Sequence, residues 1–390
     1  MPEGEKPYRV YRGGRVKGKL PGLPRPARDG EGGPPKRPIP QPRRRRRWAT
    51  WFAIGFGVFL LFVTAWLLAS YFSFRSGVSA ANARLPAGAK SALDHQNGLL
   101  LTKGTTILVL GTDHAPTAAR AGDEHSDSVM LVHTDPGRHR ISYLSIPRDL
   151  RVEIPGRGTS KLNTAYQIGG AALAIRTVRS LTGLQVNHVV IVDFGSFRDL
   201  IDKLGGITVD VKRPIHSNRF DCPFKTQSAC RSWTGWRFAR GPQHMNGERA
   251  LIYTRVRENS LNPADNDITR AERQQEVLQA ISSKLASFGT LVQLPFVGGD
   301  LLKPLATDLS TGQLLALGWV KFRSGSGNAL HCRLGGRPET IDGQSTLVPD
   351  ELNRAVIAMV TGDSAPQPPP PGSGTFGPGC VQGNRTLGSR

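Results

Sequence analysis

The chain is 390 residues long and carries 51 Lys+Arg against 30 Asp+Glu, a formal net charge of +21. That length excludes a disulfide-stapled mini-protein, and a 38% hydrophobic composition excludes wholesale disorder. The charge is uneven, because residues 1–47 alone hold 15 Lys/Arg and only 4 Asp/Glu.

This basic tail, residues 1–48, has Pro, Gly and Arg without apolar periodicity and reads as disordered and cytoplasmic. Such runs set membrane topology or tether to lipid headgroups, and no nucleic-acid partner is expected. Between Arg47 and Arg75 stand 27 residues without a charge, and 49–72 is apolar almost throughout. About 20 residues cross a hydrocarbon core at 1.5 Å each, so the segment predicts one transmembrane helix. It is too long for the apolar run of about 7–15 residues in a cleaved signal. Trp48, Trp51 and Tyr71 fall near its ends, where interfacial aromatics belong. Arg43 to Arg47 abut its N-terminal side, which predicts a single-pass type II protein of the cell membrane, with 73–390 outside.

Residues 73–104 read as an extracellular linker. On that side of a membrane cysteines oxidise. Cys222 and Cys230 enclose a seven-residue loop, and Cys332 with Cys380 would close a longer one; the connectivity stays open. The four match no zinc-site spacing.

Thr106 to Leu110 is an apolar run ending at Gly111, the pattern of a strand buried on both faces. Val129 to His133 and Ile141 to Ile146 predict two more strands, joined by the turn Asp135-Pro136-Gly137. Asn163 to Leu181 has helical spacing, and Val186 to Val192 returns to strand. Ser196 to Leu204 is helical, and Gly205-Gly206 leads into strand Ile207 to Val211. The alternation predicts an α/β fold, a three-layer αβα domain over 105–290 with a central mixed β-sheet, behind the one N-terminal transmembrane helix. Residues 213–243 read as a surface excursion, and a long helix follows over Asp267 to Ser287. Residues 291–363 extend the domain, and Pro368 to Pro371 lie in a Pro/Gly-rich disordered tail, 364–390.

Several polar groups exceed what a core needs. The first strand ends Gly111-Thr112-Asp113, and the next is entered through His125-Ser126-Asp127-Ser128. If these strands are neighbours, Asp113 and Asp127 form a hard-oxygen pair suited to Mg²⁺, with Mn²⁺ as a substitute; otherwise they cap a turn and a strand. Pro147 fixes the exit of the third strand, followed by Arg148, and Lys161 precedes the next helix. Each of these, singly, reads as a solvated cation. In Tyr253 to Arg257, strand period puts Arg255 and Arg257 on one side, a costly arrangement unless an anion lies between them. Asp267, Arg270 and Gln274 share one helical face that Val277, Ile281 and Leu285 continue. A stripe that begins polar and ends apolar suits an amphiphile with a charged head, and equally an ordinary amphipathic helix capped by Asp267. No P-loop, G-x-S-x-G elbow or H-E-x-x-H occurs.

The segments ILVLGTD (107–113), SDS (126–128), LSIPRDLRVEIPG (144–156), KLNTAY (161–166), VDFGSFRDLIDKLGGITVDV (192–211), NGERALIYTRVR (246–257) and DITRAERQQEVL (267–278) occur in this order. Together they resemble the LytR-CpsA-Psr family of cell-wall ligases. The resemblance implies a phosphotransferase that moves a phosphate-linked glycopolymer from a polyprenyl-pyrophosphate carrier to peptidoglycan, with Mg²⁺, outside the cytoplasmic membrane. By motif match, Asp113 and Asp127 are the metal-associated positions, and Arg148, Arg255 and Arg257 act with them in catalysis. Lys161, Asp267, Arg270 and Gln274 match pyrophosphate positions, and Val277 and Ile281 are expected to line the lipid's channel. His125 stands where the family usually has Arg, so that phosphate contact is expected to be weaker and pH-dependent. Two other readings compete: a membrane-anchored regulator, and a polyprenyl-pyrophosphate binding protein or pyrophosphatase. The Gly, Pro and Arg content points to a GC-rich, actinobacterial source.

Overall fold

The computed structural model describes residues 44–112, 126–220, 222–224, 226–256, 258–262, 267–285, 287–325, 327–373 and 377–383. The chain divides into two units, 1–58 and 59–390.

Helix α1 (Arg44–Arg84) exposes apolar side chains from Trp48 to Phe72 and is long and apolar enough to cross a membrane. It does not stop at residue 72. Val78 and Ala81 are buried with Leu302, and the Arg84 guanidinium donates to the carbonyls of Leu302 and Leu305. The short α2 (Ala87–Ala92) then places Ala89 and Ala92 in a core cluster. Residues 73–104 therefore include packed helix where a linker was expected. Nothing breaks the helix before Pro86, which disfavours helical backbone at Leu85 and so ends α1 at Arg84.

The remaining elements follow in order: β1 (Thr105–Thr112), β2 (Ser126–Asp135), β3 (Arg140–Ile146), β4 (Arg151–Ile154), β5 (Gly158–Lys161), α3 (Leu162–Thr182), β6 (His188–Asp193), α4 (Phe194–Lys203), β7 (Ile207–Val211), β8 (Ile215–His216), α5 (Gln227–Ser232), β9 (Arg237–Phe238), β10 (Gly241–Met245), α6 (Gly247–Arg255), α7 (Asp267–Leu285) and α8 (Phe288–Val297). After them come β11 (Leu305–Thr307), α9 (Thr311–Ser324), β12 (Ala329–Arg333), β13 (Gly336–Ile341), β14 (Gln344–Pro349), α10 (Asn353–Thr361) and β15 (Gly379–Gln382).

Seven strands form one sheet in the order β11-β6-β1-β2-β3-β12-β15. It is mixed, with β1/β6 and β3/β12 parallel and the other pairs antiparallel. Side chains alternate along each strand, so one strand feeds two cores. Leu108 and Leu110 of β1 and Val189 and Ile191 of β6 pack with α2, α3 and α10. Val109, Val190 and Val192 pack on the other face with α4, α6 and α7. The three-layer αβα arrangement follows directly from that alternation. Strand β7, in contrast, leaves the central sheet and pairs with β10.

Both cysteine pairs are disulfides, Cys222–Cys230 and Cys332–Cys380. The second corrects the expectation of a disordered tail, since β15 pairs antiparallel with β12 and Cys332 lies opposite Cys380 in register. An edge strand with unpaired backbone groups and a covalent cross-link hold a segment whose composition alone would leave it loose.

Candidate functional site

The strand register decides what meets at the sheet's edge. Thr112 ends β1 opposite Asp193 at the end of β6, and it pairs with Ser126 at the start of β2. Val129 of β2 pairs with Ile146 at the end of β3, and Arg333 of β12 pairs with Ser145. The carboxyl ends of β1, β3, β6 and β12 thus share one edge, the place where open α/β sheets bind ligands.

Asp127 occupies a bulge at this edge. Ser128 pairs with Gly111 and Ser126 with Thr112, which leaves Asp127 as the extra residue of the backbone. Asp113 follows Thr112 directly, but Asp113, His125 and Arg257 lie outside the described residues. Of Asp127 and Asp267, the backbone alone is described.

Arg148 and Lys161, thirteen positions apart in sequence, are brought together by a residue that the motif reading passed over. Arg148 Nε lies 3.4 Å from Asp149 Oδ2, and Lys161 Nζ lies 3.4 Å from Asp149 Oδ1. The backbone supports this pairing. Strands β4 and β5 form a hairpin that returns Lys161 to Arg151, and Asn163 N donates to Arg148 O at 3.0 Å. Two cations bridged by one carboxylate keep a net positive charge, which suits an anionic ligand.

Arg255 does not stand on a strand, as its spacing to Arg257 predicts, but is the last residue of a helix. Asn246 caps α6, its side-chain oxygen accepting from Arg249 N at 2.9 Å, and Glu248 suits the positive end of the helix dipole. Arg255 sits at the opposite end, where a cation is favoured.

In α7 the described members of the expected stripe, Arg270, Gln274, Val277 and Ile281, are all buried, while of Leu285, as of Asp267, the backbone alone is described. Arg273, which the spacing argument missed, is buried beside them and donates to the carbonyl of Val256. The Tyr253 hydroxyl donates to the Glu276 carboxylate, so α6 and α7 are tied at two points. Two buried guanidinium groups give the first half of α7 positive charge away from water, where it acts on an anion more strongly than at the surface. The Oε1 of Gln274 is buried and meets no hydrogen-bond partner among the described residues. Val277 and Ile281 pack in a core cluster with Phe197, Ile201 and Val209. Asp193 also stands at the edge, where it caps α4 by accepting from Ser196 N at 3.3 Å, with the Ser196 hydroxyl donating to the same oxygen at 2.6 Å.

A mixed sheet between two helical layers, with arginines and a lysine at its carboxyl edge and on the adjacent helices, defines an α/β protein suited to holding a large anion. The LytR_cpsA_psr family model matches residues 68–358, and the chain belongs to that family. It is 29% identical over 334 residues to the Polyisoprenyl-teichoic acid--peptidoglycan teichoic acid transferase TagU of Oceanobacillus iheyensis, covering 83% of this chain and 96% of the relative. It is also 30% identical over 250 residues to the Regulatory protein MsrR of Staphylococcus aureus (strain COL), covering 63% and 68%. Among solved structures, TagT bound to LIIa-WTA superposes with TM-score 0.51 at 25% identity, covering 69% of this chain and 93% of that one. The crystal structure of B. subtilis TagV superposes with TM-score 0.53 at 27% identity, covering 67% and 96%.

Proposed function

We propose that this chain is a phosphotransferase that moves a phosphate-linked glycopolymer from a polyprenyl-pyrophosphate carrier to peptidoglycan. The observation that carries the reading is the pairing of Arg148 and Lys161 through Asp149 beside the carboxyl edge of the sheet. The names of TagU and of TagT bound to LIIa-WTA support it. The same reading puts the N-terminus in the cytoplasm and the domain outside, and the five arginines that precede the apolar run support it.

A pyrophosphate resists attack because its oxygens are negative. Arg148, Lys161, Arg255, Arg257 and Arg270 hold and neutralise it, while Gln274 offers a buried amide to a polar group of the carrier head. A sugar hydroxyl of peptidoglycan attacks the phosphorus that bears the glycopolymer. The bond to the bridging oxygen breaks, polyprenyl phosphate leaves, and the polymer stays joined to the acceptor through a phosphodiester. The donor chemistry fits a hard cation, since Asp127 occupies the backbone bulge opposite Thr112 and Asp113 follows Thr112 in sequence, two residues of the carboxylate class that Mg²⁺ prefers. Asp113 and Asp127 would hold Mg²⁺, which supplies charge neutralisation at the phosphate oxygens.

The test is the full chain in vesicles with a labelled polyprenyl-pyrophosphate oligosaccharide and peptidoglycan oligomers, with and without Mg²⁺. The expected result is polyprenyl phosphate release matched by label on the acceptor, reduced about 10²-fold or more by Arg255→Ala and Asp113→Ala. Release without acceptor labelling replaces the reading with a pyrophosphatase. Deleting residues 1–40 separates transferase from regulator, since only a regulator working through the tail loses its function.

A further inference from the structure

Helix α8, FGTLVQLPFV, contains no charged residue. A surface helix of a water-soluble domain turns a polar face outward, yet α8 exposes Val292 and Phe296, the latter 84% exposed, one turn apart on the same side. Its neighbour indicates what covers them. Along α1, Trp66, Ser70, Ser73, Gly77 and Ala81 recur at steps of four, three, four and four and are buried or half-buried, forming the side turned to the domain.

Helix α8 and the glycine turn after it lie against that stripe. Trp66 Nε1 donates to Val292 O at 3.1 Å, and Gly299 N donates to Ser73 Oγ at 3.1 Å. A Cβ on Gly77 would come within 2.7 Å of the Gly299 carbonyl oxygen, so the backbones touch. Trp66 lies inside the uncharged run, nine positions before Arg75, its first charge on the domain side. At 1.5 Å per residue the Val292 contact is about 13 Å back along the helix from Arg75, level with the last turns of the apolar span. Beside α8, Lys203 and Lys303 share the single carboxylate of Asp300, leaving a local excess of positive charge. That charge complements lipid phosphates.

We propose that α8 is a second, shallow membrane contact. Val292 and Phe296 enter the headgroup and acyl boundary beside α1, so the domain is held at two points and cannot swing freely about its anchor. The inference rests on α1 crossing the bilayer. It bears on function because α7 joins α8 through only two residues, 286 and 287. Arg270 then stands at most about 23 Å along α7 from that junction, which fixes the reach demanded of a carrier lipid whose tail remains in the membrane.

The test uses the full chain in phosphatidylglycerol/phosphatidylethanolamine vesicles, spin-labelled at single introduced thiols. The native cysteines are consumed in disulfides and leave those thiols as the reactive ones. Labels go at Phe296→Cys and Val292→Cys, with Leu67→Cys on exposed α1 and Leu352→Cys on the domain surface as references. Collision with oxygen is compared with collision with an aqueous nickel chelate. The expected result is loss of chelate access at 292 and 296, matching 67 and unlike 352. Chelate access at 296 equal to that at 352, with 67 protected, overturns the α8 contact and leaves the anchor standing. Access at 67 as well overturns the anchor and the inference together.

Discussion

At the scale of single residues, Asp149 shows how a carboxylate can serve an anion site. It holds Arg148 and Lys161 at 3.4 Å each, cations that would otherwise repel. Asp149→Asn keeps the shape and removes the charge, so carrier binding should weaken about tenfold, roughly 1.4 kcal/mol. Because the pairs are partly exposed, stability should change by only about 1 kcal/mol or less. Unchanged KM for the lipid donor, with the fold intact, would remove Asp149 from the site. The motif made Arg148 and Lys161 legible, whereas Asp149 reads as an ordinary neighbour until β4 and β5 turn the chain back. Two histidines set a second residue-scale behaviour. Burial pushes His133 below its ordinary 6.5, with Arg140 adding to the effect against Asp135 and Asp363, and burial with the Lys321 ammonium does the same to His331. Both are therefore more easily protonated in the unfolded chain. Their contribution is fully present above pH 6.5 and is lost as pH falls through the depressed folded values. Urea midpoints should decline on acidification from neutrality toward about pH 5. A flat profile in His133→Gln/His331→Gln, against a sloping wild type, would assign the slope to these two groups.

At the scale of elements, most of the sheet was legible because two-sided burial writes continuous apolar runs. Thr106 to Leu110 feeds cores on both faces, with four of its five side chains buried and Val109 half-buried. The failure came at Tyr253 to Arg257, where Tyr, Thr and Val favour strand on propensity and the short window hides what lies upstream. Seven residues before Tyr253, Asn246 followed by Gly-Glu-Arg-Ala-Leu starts a helix, and tertiary packing of Ala250, Ile252 and Tyr253 keeps it. Asn246→Ala removes the acceptor for Arg249 N and should lower unfolding free energy by about 1 kcal/mol. Since α6 delivers Arg255, transfer activity should fall with it, and Asn246→Asp should restore both. Loss of stability without rescue by aspartate would mean the side chain matters for something other than capping.

At the scale of the whole molecule, composition makes the segments on either side of the domain appendages, and the structure builds 73–92 and 377–383 into it. Composition describes what a segment would do alone, and neither 73–92 nor 377–383 is alone. The first continues an existing helix and supplies Val78, Ala81, Ala89 and Ala92 to cores. The second becomes the last strand of the sheet, and the cysteine arithmetic that suggested its disulfide already contradicted a loose tail. Its position gives it consequences for the site. Strand β15 covers β12, and the Arg333 guanidinium, at the edge where Ser145 and Thr112 end, donates to Gly377 O at 3.1 Å. The Cys332–Cys380 bond spans a sequence separation of 48, which by chain entropy corresponds to about 4 kcal/mol of destabilisation of the unfolded ensemble. Cys380→Ala paired with Cys332→Ala should therefore lower the denaturation free energy by about 2–4 kcal/mol. It should also loosen Arg333 before global unfolding, read as faster hydrogen exchange in 377–383 and at the end of β12. The Cys222–Cys230 bond closes a separation of only 8 in the segment between β8 and β9, so removing it should cost distinctly less and leave that exchange unchanged. Equal costs for the two pairs would show that strand pairing, rather than the cross-link, holds the tail against the sheet.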